Sequence, residues 1–114
     1  MPDAELRWRI CKCSTSILRL NPEATEEAQA KFRRAEVERV WELIVSGTLR
    51  AINFFSGEGR GAVLHLETPD RSSAEAVIQS LPMVGAGLLH SEVLTLAPFI
   101  GLVELFAEQR GRNE

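Results

Sequence analysis

The 114-residue chain predicts an α+β domain: a four-stranded antiparallel sheet with two helices on one face. Three observations carry that prediction. Four runs are rich in apolar and β-branched residues, two helix-period segments separate them in the order β-α-β-β-α-β, and a glycine-flanked connection joins the middle strands as a hairpin. Two helices cover one face only. The other face must be solvated, liganded or covered by another chain.

The first strand is read over residues 6–20, LRWRICKCSTSILRL, apolar and β-branched with partial alternation. Residues 21–47 form the clearest helix. Asn21 is placed to cap it, Pro22 suits its first position, and Glu23, Glu26 and Glu27 favour its positive end. Val37, Val40, Trp41 and Ile44 recur at i, i+3, i+4 and i+7, which predicts the buried stripe and puts Trp41, with Phe32, in the core. Gly47 supplies a left-handed terminus, and the segment is long enough for a break near Ala30. TLRAINFF and GAVLHLET follow as hairpin strands around SGEGR. PDRSSAEAVIQSLP is a second helix: Ser72 and Glu75 fit a capping box, Ala74, Val77, Ile78 and Leu81 form its buried stripe, and Pro82 ends it. LLHSEVLTL is the last strand and APFIGLVELF an apolar coda. With right-handed crossovers this order is the ferredoxin-like arrangement. No linker or repeat divides the chain, so residues 1–114 read as one domain.

Composition narrows the function classes. With 45% apolar and 25% charged residues the chain has the balance of a soluble globular domain. A net charge of -3 and the lack of a basic stripe with interleaved aromatics argue against a nucleic-acid partner. Pro82, His90, Ser91, Glu92 and Pro98 interrupt the C-terminal apolar run, so it is not read as a membrane span. The start, MPDAELRWRICK, lacks the apolar core of a signal peptide, and the two cysteines of CKC suit a reducing compartment, so a cytoplasmic protein is expected. The strands AVLHL and EVLTL carry apolar residues on both faces, which predicts burial on both sides. A second copy of the chain is the simplest cover, giving a homodimer or a multiple of one.

LPMVGAGLLHSEVLTLAPF, set after the strand GAVLHLET and a short helix, resembles the muconolactone isomerase-like families of the dimeric α+β barrel superfamily. AGLLHSEVLTLAPF also resembles the end of the YCII-related small barrel proteins. The resemblance spans roughly residues 10–100, and its motifs are mainly structural. It implies two sheets facing across a two-fold axis, a barrel cavity for small organic ligands, and a C-terminal PFIGLVELF lying against a neighbouring subunit. It further implies a cofactor-free proton shift in an unsaturated lactone. The chain departs from the pattern in two places. Of the aromatic and basic residues those isomerases carry on the second strand, only Arg50 matches. The related barrels pair an Asp before the helix-exit proline with a His near the first helix, where this chain has Leu81 and Asn21.

A cofactor-independent isomerase needs a base near neutral pKa and a cation or donors for enolate-like charge. Arg50, Ile52 and Phe54 share one face of the second strand, and Val63, His65 and Glu67 one face of the third. A turn centred between Glu58 and Gly59 sets Arg50 opposite Glu67 and Ile52 opposite His65, on the face away from the helices, with Ala62, Leu64 and Leu66 beneath the helices. A one-residue slip undoes this grouping. In the catalytic reading His65 is the acid or base, Arg50 steadies an anionic substrate and Glu67 orients one of them. Ile52 and Phe54 line the ligand site, and His90 and Glu92, sharing a face of the last strand, join it. The plainer reading is a cross-strand ion pair beside a satisfied histidine, with His90 and Glu92 at a seam or rim. Cys11 and Cys13 lack the further ligands a zinc site needs and read as buried or half-buried thiols. GEGRG links two strands and is a hairpin loop, not a phosphate cradle. No metal or cofactor is expected. Two functions follow: a cofactor-independent, muconolactone isomerase-like enzyme acting on a small lactone or organic acid, or a non-catalytic ligand-binding or oligomerisation module of the same fold.

Overall fold

The computed structural model of the chain describes residues 13–57, 59–99 and 101–106. The elements run β1 (Cys13–Leu20), α1 (Glu26–Val45), β2 (Leu49–Phe54), β3 (Gly61–Glu67), α2 (Arg71–Gln79), α3 (Pro82–Gly85) and β4 (Leu89–Leu96). The strands form one sheet in the order β2-β3-β1-β4, every neighbouring pair antiparallel. This is the ferredoxin-like α+β fold expected from the element order. The N-terminal part of the strand read over residues 6–20, with Cys11, lies outside the described residues.

Alternation decides what each strand buries. Leu18 of β1, Ala62, Leu64 and Leu66 of β3 and Val93 of β4 point towards the helices and are nearly inaccessible. Against them pack Leu43 of α1, Ala74 and Ile78 of α2, Leu81 and Val84. Each fully buried Leu or Ile contributes about 1.5–3 kcal/mol of transfer free energy. Ala74, Ile78 and Leu81 are fully buried and Val77 partly so, and this is the stripe that spacing predicts for the second helix.

Helix starts differ from expectation. α1 begins with Thr25 as its cap, the hydroxyl accepting from the Ala28 backbone N–H at 3.1 Å. Asn21 does not cap it, because its side chain is engaged elsewhere: Nδ2 donates to the Gly87 carbonyl at 2.6 Å. The Asp70 side chain, not that of Ser72, caps α2, accepting from the Ser73 N–H at 2.7 Å, while Glu75 pairs with Arg71. Pro82 opens α3 rather than merely closing α2, its missing N–H costing nothing in a first turn. Gly47, at φ +81°, terminates α1 as its position predicts.

α1 is also rotated from the expected face. The inward positions are Gln29, Glu36, Val40 and Leu43, whereas Val37, Trp41, Ile44 and Val45 are 62, 63, 40 and 67% exposed. Trp41 is therefore not core: with Ile44 and Val45 it forms an apolar strip along the outside of the helix, and Val37 stands exposed at the edge of a cavity beside α1. Residues 101–106 of the coda are helical, with Leu102, Val103, Leu105 and Phe106 about half exposed or more.

Candidate functional site

The sheet face away from the helices carries the residues singled out from sequence. Strand pairing arranges them in rows across β3, β1 and β4: Glu67–Cys13–Leu96, His65–Thr15–Leu94, Val63–Ile17–Glu92 and Gly61–Arg19–His90. The β2 register differs from the expected one by a residue. Ile52 lies opposite Leu64, not His65, and Phe54 opposite Ala62. A bulge between Leu49 and Ala51 causes the slip, with Arg50 as the extra residue. Ile52 and Phe54 consequently stand on the helix side of the sheet and do not join Arg50. The bulge nonetheless leaves Arg50 near Glu67, Nη1 to Oε2 at 3.4 Å. Both side chains are more than half exposed, so the pair is worth about 1 kcal/mol or less. His65 Nδ1 meets the Thr15 hydroxyl at 3.1 Å. Cys13 is exposed on this face, not buried as expected.

His90 is held more firmly than His65. Asn21 donates from Nδ2 to the Gly87 carbonyl, so its Oδ1 is the atom 2.6 Å from His90 Nδ1. That geometry makes Nδ1–H the donor. Glu92 shares the face but sits one row away, opposite Ile17. The open face thus holds Arg50, His65, Glu67, His90 and Glu92 on an exposed surface, not in one convergent cluster.

A concave site lies on the other side of the sheet. A cavity of about 650 Å³ opens between α1 and the end of the sheet near the β2–β3 hairpin. Its walls are mostly apolar: Leu18, Leu20, Val40, Ile52, Phe54, Phe55, Ala62, Leu64, Leu81 and Leu89. Four long polar side chains line it as well, Gln29, Arg33 and Glu36 from α1 and Arg60 from the hairpin. Gln29, Arg33, Glu36, Val40 and Leu43 follow i, i+4, i+7, i+11 and i+14 along one side of α1, with Arg33 exposed at the cavity mouth. The N-terminal half of that side is polar because it borders a hollow. Its C-terminal half is apolar because it meets the sheet.

Glu36 is the chemically distinctive member. Its carboxylate accepts from the Met83 backbone N–H at 3.0 Å, tying α1 to the start of α3. Burial raises its pKa above the usual carboxylate value, outweighing the opposite pull of that hydrogen bond. Arg33 Nη2 reaches Glu26 Oε1 at 2.7 Å at the outer edge. The Arg33 hydrogen bond and charge hold the Glu26 carboxyl below its usual range, and the Arg60 charge adds to this. Gln29 is buried and donates to the Ala24 carbonyl at 3.3 Å. A carboxyl that keeps its proton more readily than usual, in an apolar hollow with cations at the rim, is equipped for proton transfer next to developing negative charge. Among the described residues no group of three or more His, Cys, Asp or Glu is arranged to hold a metal ion.

Comparison with known proteins bears on the fold. The solved structure of 5-chloro-2-hydroxyhydroquinone dehydrochlorinase (TftG) from Burkholderia phenoliruptrix AC1100, in complex with 2,5-dihydroxybenzoquinone, superposes with a TM-score of 0.58. The match covers 71% of this chain and 90% of that one at 16% identity. The likeness establishes the fold. This chain shares with that protein a ferredoxin-like α+β fold. No family model and no curated protein matches the sequence. Among the described residues no helix is long and apolar enough to cross a membrane.

Gln29, Arg33, Glu36 and Arg60 escape the sequence reading. The first three alternate with the more conspicuous stripe through Val37 and Trp41, and nothing local marks a polar helix face as inward. The i, i+4, i+7 spacing leading into Val40 and Leu43 is the signal that reveals them.

Proposed function

We propose that the chain is a small cofactor-independent enzyme that moves a proton on an unsaturated ring compound or organic acid bound between α1 and the sheet. One observation carries the reading: Glu36, its pKa raised by burial, faces an apolar cavity large enough for a ring-sized ligand. As a carboxylate Glu36 removes a proton from an activated carbon, and as the acid it returns one to another atom. The cations at the rim stabilise the enolate or phenolate formed between the two steps. The ring compound bound to the structural neighbour, a dihydroxybenzoquinone, is of a size such a cavity admits. A muconolactone-type isomerisation is one reaction this arrangement suits.

The chain is further proposed to act as a homodimer or a multiple of one. Leu94 and Leu96, each more than two-fifths exposed, join Ile17 and Val63 on the open face, and a second copy would cover that patch. The apolar strip on α1 and the coda favour, as a second reading, a role in assembly.

The test is exchange of ligand C–H protons with D2O, followed by NMR. Small lactones, unsaturated dicarboxylates, aromatic acids and hydroxyquinones form the panel. Glu36→Gln is expected to slow exchange by about 10²–10⁴ while ligand binding persists. Full exchange in Glu36→Gln, with loss in His65→Ala or Arg50→Ala, would move the chemistry to the open face.

A further inference from the structure

We infer that the cavity selects ligands bearing one anionic group, received at its mouth by Arg33 and Arg60 in exchange for Glu26. The inference rests on the reading that this cavity is the reaction site, and it adds the substrate's charge. Its starting point is the uneven distribution of charge. Arg33 and Arg60 are the cationic residues of the lining, and Glu36 is the acidic one. They come from opposite walls, α1 and the hairpin.

Glu26, at the start of α1, is the carboxylate that these two guanidiniums have at hand. It bonds Arg33 directly at 2.7 Å. The influence of Arg60 on Glu26 is through space, and its guanidinium makes no contact ion pair with a described residue. Two guanidiniums offer ten N–H donors in planar forks, of which one carboxylate uses a minority. Glu26 and Arg33 are both more than half exposed, so the resident pair is weak and exchangeable. A ligand carboxylate or phenolate entering the mouth finds a binding geometry already occupied by a carboxylate of the protein itself.

Helix spacing sets how far the anion stands from the reacting atom. Arg33 and Glu36 are three residues apart on one face of α1, a rise of about 4.5 Å. An anion on Arg33 is thereby displaced from the Glu36 carboxyl along the axis of α1. The apolar walls supplied by Val40, Ile52 and Leu81 receive the ring. The fitting class is a planar or nearly planar ring with one carboxylate or acidic hydroxyl. Neutral rings lose the rim contacts, and cationic ones meet repulsion.

Benzoate and benzamide, matched in shape and differing in charge, are the probes, with binding followed by NMR titration. Wild type is expected to bind benzoate about tenfold more tightly than benzamide. Arg33→Met and Arg60→Met should each remove most of that preference without changing benzamide binding, and Arg50→Met on the open face should leave both unchanged. Glu26→Gln should tighten benzoate binding by removing the competing carboxylate. Equal binding of the two probes, failure of both to bind, or equal weakening of both by the Arg33 and Arg60 substitutions would overturn the inference. Glu36→Gln separates the two claims. If it leaves proton exchange intact while the benzoate preference persists, the anion mouth stands and the catalytic reading falls.

Discussion

Shortening Leu81 tests whether the cavity exists as drawn. Leu81 is wholly buried, at the junction of α2 and α3, and its side chain forms part of the cavity wall. Leu81→Ala removes three carbons, about 2.4 kcal/mol of transfer free energy at 0.8 kcal/mol each. Ile78, also wholly buried but outside the lining, loses three carbons on the same substitution. Around Ile78 the vacated space is a new void, which adds about 24 cal/mol per Å³ and brings such substitutions to about 4–5 kcal/mol. Around Leu81 the space merges with a hollow already present, so the added cost is smaller and the total is about 3 kcal/mol. For a domain of this size the melting temperature should fall by about 12 °C for Leu81→Ala and about 16–20 °C for Ile78→Ala. Urea denaturation gives the free energies directly. The Leu81 variant should in addition shift ligand preference towards larger rings, and the Ile78 variant should not. Equal costs for both substitutions, with ring preference unmoved in each, would mean that Leu81 borders no hollow.

Three further outcomes follow from named contacts. The raised pKa of Glu36 means that the folded state binds this proton more tightly than the unfolded chain, so ionised Glu36 destabilises the fold above its folded pKa and the penalty vanishes below the ordinary carboxylate range. Glu36→Gln should therefore melt above wild type at pH 8 and with it near pH 4, and an offset constant with pH would refute the assignment. A Cβ on Gly61 would strike the Leu18 carbonyl oxygen on the paired backbone of β1, so Gly61→Ala should lose about 2–3 kcal/mol in urea, whereas a neutral result would deny that close approach. Leu94→Arg, set in the row with Thr15 and His65, should shift light scattering at micromolar concentration from dimer to monomer while proton exchange stays within about twofold, as expected of chemistry housed inside one protomer. A dimer that survives the substitution would place the interface elsewhere.

How much of this was legible depends on what each residue's neighbours allow. β3 reads plainly, because Ala62, Leu64 and Leu66 alternate with His65 and Glu67, and only one assignment of faces buries the apolar set. The second helix reads as plainly, its four apolar positions defining a single stripe. α1 does not. Its C-terminal half carries Val37, Val40, Trp41, Leu43, Ile44 and Val45, apolar residues around most of the circumference, so periodicity alone cannot choose a face. The choice was made by the polar residues upstream, which continue the line of Val40 and Leu43 over the cavity. The true cap of α1 was hidden for a long-range reason. Asn21 and Thr25 are both good caps, and Asn21 is withdrawn by Gly87 and His90, more than sixty positions away in sequence.

The one-residue bulge at Arg50 matters most for function. No glycine or proline marks it, yet it sends Ile52 and Phe54 to the opposite side of the sheet from Arg50. Sequence spacing had gathered a base, a cation and an apolar ligand wall on one face. The bulge divides them. Arg50, His65 and Glu67 keep the open face with little apolar enclosure, and Ile52 and Phe54 become walls of the hollow beneath α1. Proton transfer benefits from a group whose charge is costly to maintain, and burial imposes that cost on Glu36. The same displacement that dissolved the expected cluster adds Ile52 and Phe54 to the lining of the cavity that the half-buried Glu36 faces. The case for chemistry consequently rests on α1 and the cavity, and the open face, with Leu94 and Leu96 exposed on it, is the surface on which the proposed second copy of the chain would sit.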